Sequence, residues 1–91
     1  MLYMLINRTR SDLSKEQFEQ LGQLAKAFYD NIPDGVTLHN DWAANDGSCT
    51  FALLETENPQ LIEQIQLPFR SFVDIETVPV TPIKGWGKQF D

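Results

Sequence analysis

A chain of 91 residues with 42% hydrophobic content has room for one domain, which buries roughly 60 to 65% of the surface its unfolded form exposes. Thirteen acidic against seven basic residues give a net charge of −6, and the bases Arg8, Arg10, Lys15, Lys26, Arg70, Lys84 and Lys88 are scattered. This acidic balance, with no basic stripe to neutralise a row of phosphates, argues against nucleic acid and against an anionic membrane surface as partners. The single cysteine, Cys49, cannot close an internal disulfide, and the apolar start Met1 to Ile6 is too short, and lacks the preceding basic residues, for a secretory signal. No apolar run approaches the roughly 20 residues needed to span a bilayer. A reducing cytoplasm is the expected location.

Leu2 to Asn7 is a short apolar run with turn-prone residues behind it, which predicts a buried first strand. Ser14 is a helix N-cap, with Gln17 completing a capping box and Leu13 and Phe18 placed as a hydrophobic staple. Phe18, Leu21, Ala25, Phe28 and Ile32 then recur at steps of three and four, which predicts one apolar helical stripe ending at Pro33-Asp34-Gly35. Gly22 inside it is tolerable if the helix backbone lies close to a strand there.

Val36 to Ala43 and Ser48 to Glu55 read as two strands joined through Asn45-Asp46-Gly47. A two-residue or a four-residue loop gives the same parity, with Val36, Leu38 and Trp42 sharing a face with Cys49, Phe51 and Leu53. Asn58-Pro59 opens a second helix as N-cap and N1, Leu61, Ile62 and Ile65 form its stripe, and Pro68 stops it. Ser71 to Val80 predicts a last strand with Val73, Ile75 and Thr77 on one face, and Pro79 favours a sheet edge. Residues 81–91 form a tail carrying Trp86 and Phe90 among glycines, so the folded domain is expected to span residues 1–80.

The order β-α-β-β-α-β predicts a ferredoxin-like α+β sandwich, a four-stranded antiparallel sheet with two helices on one face. In the usual strand order, 4-1-3-2, the helices are expected to cover Leu2, Met4, Ile6, Val36, Leu38, Trp42, Phe51, Leu53, Val73 and Ile75. The opposite, open face is expected to carry Tyr3, Leu5, Asn7, Thr37, His39, Asp41, Thr50, Ala52, Leu54, Phe72, Asp74, Glu76 and Val78. An apolar centre of Leu5, Ala52, Leu54 and Phe72 is larger than a soluble monomer normally exposes, and a two-fold axis lets such a patch cover its own copy, so these residues are the expected homodimer interface.

This layout resembles the dimeric α/β-barrel superfamily, in which two ferredoxin-like chains bring their open sheet faces together around a cavity. Three stretches resemble more closely a small bacterial family of unknown function. They are Met1-Leu2-Tyr3-Met4, Asp41-Trp42 through Asp46-Gly47 into Phe51-Ala52-Leu53-Leu54-Glu55, and Asn58-Pro59-Gln60-Leu61 running on to Phe72 through Val80. The resemblance covers residues 1–80, while Pro68 and the Gly-Trp-Gly tail depart from the pattern. It implies a homodimer but no particular chemistry, because the superfamily spans cofactor-independent monooxygenases, haem-degrading enzymes, isomerases and stress-induced proteins.

His39, the only histidine, suits a general base or a haem ligand if it faces a cavity, and a polar residue at a sheet edge if it does not. Asp74 and Glu76 lie two apart on one strand and hence on one face, a carboxylate pair of the kind that general acid-base chemistry uses, although edge charges that block aberrant pairing explain them equally. Cys49 has no adjacent histidine and reads as a small buried hydrophobe, and Trp42 as core. Tyr3 and Asn7 are expected to point from a central strand to the open face. Taken together, Tyr3, Asn7, His39 and Glu76 are the candidate groups orienting a small, largely apolar organic ligand between two sheets, with Glu76 supplied by the second copy. The competing reading is a non-catalytic interaction or regulatory module with a packed interface. No cofactor and no metal site is expected, because one histidine and one cysteine on opposite faces give no ligand spacing.

Overall fold

A computed structural model describes residues 1–83, and the tail bearing Trp86 and Phe90 lies outside the described residues. The elements are β1 (Leu2–Thr9), α1 (Lys15–Asp30), β2 (Val36–Ala43), β3 (Thr50–Thr56), α2 (Pro59–Gln66), a short 3-10 turn (Leu67–Phe69) and β4 (Val73–Val80). They form one antiparallel sheet of order β2-β3-β1-β4, the expected ferredoxin-like α+β arrangement. Both helices start as their caps dictate. The Gln17 amide donates to Ser14 Oγ at 3.2 Å while the Ser14 amide donates to Gln17 Oε1 at 2.8 Å, and Asn58 Oδ1 accepts from the Gln60 amide at 3.1 Å with Pro59 at the first helical position. Each cap satisfies backbone donors that a helix start otherwise leaves without partners. Pro68 cannot supply the amide that would continue α2, so the chain tightens into the 3-10 turn.

Hydrogen bonds from the Ala44 amide to the Cys49 carbonyl and from the Gly47 amide to the Ala44 carbonyl, both 2.9 Å, close the β2-β3 connection. The loop is the four-residue form of the two allowed by parity, with Gly47 at φ +76. Gly35, at φ +89, turns the chain out of α1, and a Cβ there would stand 3.3 Å from Leu61 Cδ1.

The facing of the central strands is the reverse of the expected one. Tyr3, Leu5, Val36, Leu54 and Ile62 form the buried core, with Phe28, Ile32, Leu38, Ala52, Leu61, Ile65 and Ile75 packed against it. Tyr3, Leu5, Asn7, Ala52 and Leu54 therefore face the helices, whereas Leu2, Met4, Ile6, Phe51, Leu53 and Trp42 look away from them. Runs such as Leu2–Ile6 and Phe51–Leu54 are apolar on both faces, so alternation carries no parity and tertiary packing decides it. Phe72 precedes β4 in a turn, where its amide donates to the Phe69 carbonyl at 2.9 Å, so it is not a strand residue of either face.

Trp42 is displaced for a different reason. The pairing runs Leu38 with Leu54 and then Asn40 with Leu53, so β2 carries an extra residue at His39. This β-bulge inverts the alternation halfway along the strand. Val36 and Leu38 keep the expected helix side, as do Val73 and Ile75 of β4, while Asp41 turns toward the helices and Trp42 away from them, 48% exposed. On α1, Phe18 is 52% exposed and no residue is fully buried. Gly22 has nothing within 4 Å of its would-be Cβ, so no close approach to a strand accounts for it.

Candidate functional site

Between α1 and the sheet lies a cleft of about 430 Å³. Leu5, Ala52 and Leu54 of the central strands and Val73 and Ile75 of β4 line it from the sheet side, Leu21, Ala25 and Phe28 line it from α1, and Ile65 and Phe69 contribute from the second helical segment. The apolar lining follows from the parity of β1 and β3: the side chains expected at an interface between copies are those turned beneath the helices.

Polar groups interrupt that lining at several points. Tyr29 on α1 donates its hydroxyl to Asp41 Oδ2 at 2.5 Å, joining the helix to β2 across the cleft. The hydrogen bond to Asp41, then burial, then the negative charge of the same carboxylate push the Tyr29 hydroxyl up to about 12, so it remains a donor throughout the neutral range. Its ring is edge-on to Phe28, with centroids 5.4 Å apart. Asn7 Nδ2 donates to Thr50 Oγ1 at 3.2 Å. Buried Gln66 donates to Thr77 Oγ1 at 2.5 Å and accepts from the Arg70 guanidinium at 3.3 Å, which satisfies a polar side chain that would otherwise be costly in the core. Gln66 also borders a second depression, lined by Tyr3, Ile62, Arg70 and Thr77.

The open face of the sheet is apolar along its centre. Leu2, Met4, Ile6, Phe51, Leu53, Val78 and Val80 are each only half-buried there, and Trp42 is exposed. Charged groups stand around this apolar area: His39 Nε2 lies 2.7 Å from Glu55 Oε1, Arg8 lies 3.7 Å from Glu76, and Arg10 lies 3.5 Å from Asp74.

The four residues expected to orient a ligand are thus dispersed. Asn7 borders the cleft, Tyr3 is buried at the second depression, and His39 and Glu76 are on the open face on opposite edge strands, three strand spacings or about 14 Å apart. His39 takes its partner, Glu55, from its own chain. Tyr29, Asp41 and Gln66 are the site residues that alternation and motif reasoning missed. Tyr29 is adjacent to the apolar stripe rather than on it, and Asp41 reaches the cleft only because of the bulge. Among the described residues no three His, Cys, Asp or Glu side chains gather in a group able to hold a metal ion, and no helix is long and apolar enough to cross a membrane.

A four-stranded sheet covered on one side by two helices, with a cleft under the first, defines a ferredoxin-like α+β protein. The chain belongs to the family described as a domain of unknown function, DUF3303, which matches residues 1–90. No curated protein matches it. Among solved structures it is similar to the crystal structure of SCO4226 from Streptomyces coelicolor A3(2), at 17% identity over 90% of this chain and 100% of that chain, with a TM-score of 0.50. At that identity the likeness is one of fold.

Proposed function

We propose that the protein binds a small, largely apolar organic molecule and works as a homodimer, the ligand lying beneath α1 of each copy and the open sheet faces closed on one another. The observation that carries the ligand reading is the apolar cleft of about 430 Å³, a size and lining suited to a small molecule. Its few polar groups stand beside a continuous apolar wall, an arrangement that fixes a ligand's orientation while burial supplies most of the affinity. The ligand lies on the helix side rather than between two sheets, because the concave apolar space among the described residues is there. Binding without turnover is the simpler reading, since among the described residues Asp41 is the one charged residue lining the cleft.

The homodimer reading rests on the open face. A contiguous apolar area of Leu2, Met4, Ile6, Phe51, Leu53 and Trp42 resembles the surface that soluble proteins reserve for a partner. A two-fold axis lets one such patch cover its copy, the arrangement found in the dimeric α/β-barrel superfamily. Residues 1–80 are the binding unit in this proposal.

Methyl-resolved NMR of the full chain titrated with phenethyl alcohol, a neutral apolar probe, tests the ligand site. Shifts at Leu21, Leu54 and Ile65, abolished by Ala25→Trp, support the cleft. Shifts confined to Leu2, Ile6 and Leu53 would place the ligand between the sheets and overturn it.

A further inference from the structure

We infer that the cleft selects for a positively charged head group, so that its ligand is a small apolar amine whose ammonium rests on the Asp41 carboxylate. This rests on the ligand site proposed above and adds the chemical class of the ligand. Among the described residues Asp41 is the one charged side chain lining the cleft, and no salt bridge among them reaches it. The Tyr29 hydroxyl donates to Oδ2, and among the described residues nothing donates to Oδ1, so one carboxylate oxygen is left to receive a donor from a ligand. Among the described residues the arginines are committed elsewhere: Arg8 and Arg10 pair with Glu76 and Asp74 on the opposite face of the sheet, and Arg70 donates to Gln66.

An ammonium carried on an apolar body matches both parts of this arrangement. The body lies against Leu54, Phe28 and Ala25, and the head reaches a carboxylate that has a neutral donor beside it and, among the described residues, no salt-bridge partner. Tyr29 keeps its proton because its hydroxyl is pushed up to about 12, so it presents no second negative charge and fixes the orientation of the first. A carboxylate-bearing ligand of the same shape meets the opposite conditions, with no cation in the lining among the described residues and a chain of net charge −6 around it.

The simplest competing account makes the Tyr29–Asp41 pair a strap that ties α1 to β2 and has no bearing on ligand charge. Calorimetric titration of the full-length protein with phenethylamine, phenethyl alcohol and phenylacetate at neutral pH and low salt separates the two. The amine is expected to bind about five- to tenfold more tightly than the alcohol, the range for a charge-assisted hydrogen bond at a partly exposed site, and phenylacetate most weakly. Asp41→Asn, which keeps an acceptor for Tyr29, should bring the amine level with the alcohol. Tyr29→Phe removes the strap but not the charge and should preserve the preference for the amine.

Equal affinity for amine and alcohol, or an amine preference that survives Asp41→Asn, overturns the inference. If Ala25→Trp still abolishes binding of both in that case, the cleft remains the ligand site and only the head-group selection falls. Binding of all three probes that persists in Ala25→Trp removes the cleft reading itself, and this inference with it.

Discussion

The two faces of the sheet are both apolar along the central strands, yet they have different fates. Tyr3, Leu5 and Leu54 on the helix side are buried, while Leu2, Met4, Ile6, Phe51 and Leu53 on the other side remain only half-buried. The number of apolar residues on a strand therefore does not reveal which side a helix covers. What separates the faces is the company each keeps. The covered face is matched by Phe28, Ile32, Leu61, Ile62 and Ile65 from the helical layer, and the open face has the ion pairs of Arg8 and Arg10 beside it.

The sharpest way to break this comparison is a pair of adjacent truncations. Leu54→Ala removes a side chain that is 1% exposed and should cost about 2 to 5 kcal/mol, the range for emptying a core leucine site. Leu53→Ala, one residue away on the open face, should cost well under half of that at concentrations where the chain is monomeric. Urea midpoints compare the two, and equal losses would mean that the facing of β3 is misassigned.

Ile6→Glu probes the open face itself. An unpaired charge closed into an interface costs several kcal/mol, so sedimentation should show a dimeric wild type and a folded monomeric variant at micromolar concentration. A wild type that sediments as a monomer there removes the dimer. Leu54→Glu does not serve this purpose, because it would place the charge in the monomer's own core.

On the solvent side of the helical cover, Gly22→Ala should raise stability by up to about 1 kcal/mol, the difference in helix propensity, since nothing crowds the added methyl. A loss on thermal or urea unfolding would indicate that α1 packs closer to a neighbour than its geometry shows.

The smallest effect concerns the strap joining cover to sheet. Tyr29 has its pKa raised from 10.0 to about 12 in the folded chain, so the hydrogen bond to Asp41 contributes its stability in full below the unfolded value. That contribution is lost as the pH climbs through the folded one. The stability difference between wild type and Tyr29→Phe should accordingly be flat at neutral pH and disappear between pH 10 and 12, followed by urea unfolding across that range. A difference that grows with pH would reverse the sign and refute the assignment.

Much of the architecture was legible in the sequence. The capping box at Ser14 and Gln17, the Asn58-Pro59 start of α2 and the turn at Asn45-Asp46-Gly47 are local devices, and local chemistry is what a sequence states most directly. Strand order followed from the succession of elements. The facing of β1 and β3 did not follow, because an apolar residue at nearly every position of Leu2–Ile6 leaves both parities equally consistent with burial. Phe18 satisfied the helical period without being covered, since periodicity places a side chain on a face but does not say how far along the helix the neighbouring layer extends. The cleft was out of reach for the same reason: it depends on the gap between α1 and the sheet, a tertiary distance that no spacing of residues encodes. Tyr29 and Asp41, twelve positions apart, meet only once that gap is set.

The extra residue at His39 makes residue count, rather than residue identity, decide what β2 presents to each side. Reading the strand from Val36 in unbroken steps of two assigns Asp41 and Trp42 to the wrong sides, and restarting the count after His39 assigns both correctly. A relative lacking one residue here would keep the pairing of Leu38 with Leu54 and of Asn40 with Leu53, and with it the present addresses of the carboxylate and the indole. A relative of equal length that paired without the bulge would exchange them, placing an indole under α1 and a carboxylate on the open face. Loss of the bulge at constant length therefore acts on the cleft and on the open surface together, a coupling that substitution of either residue alone would not reveal.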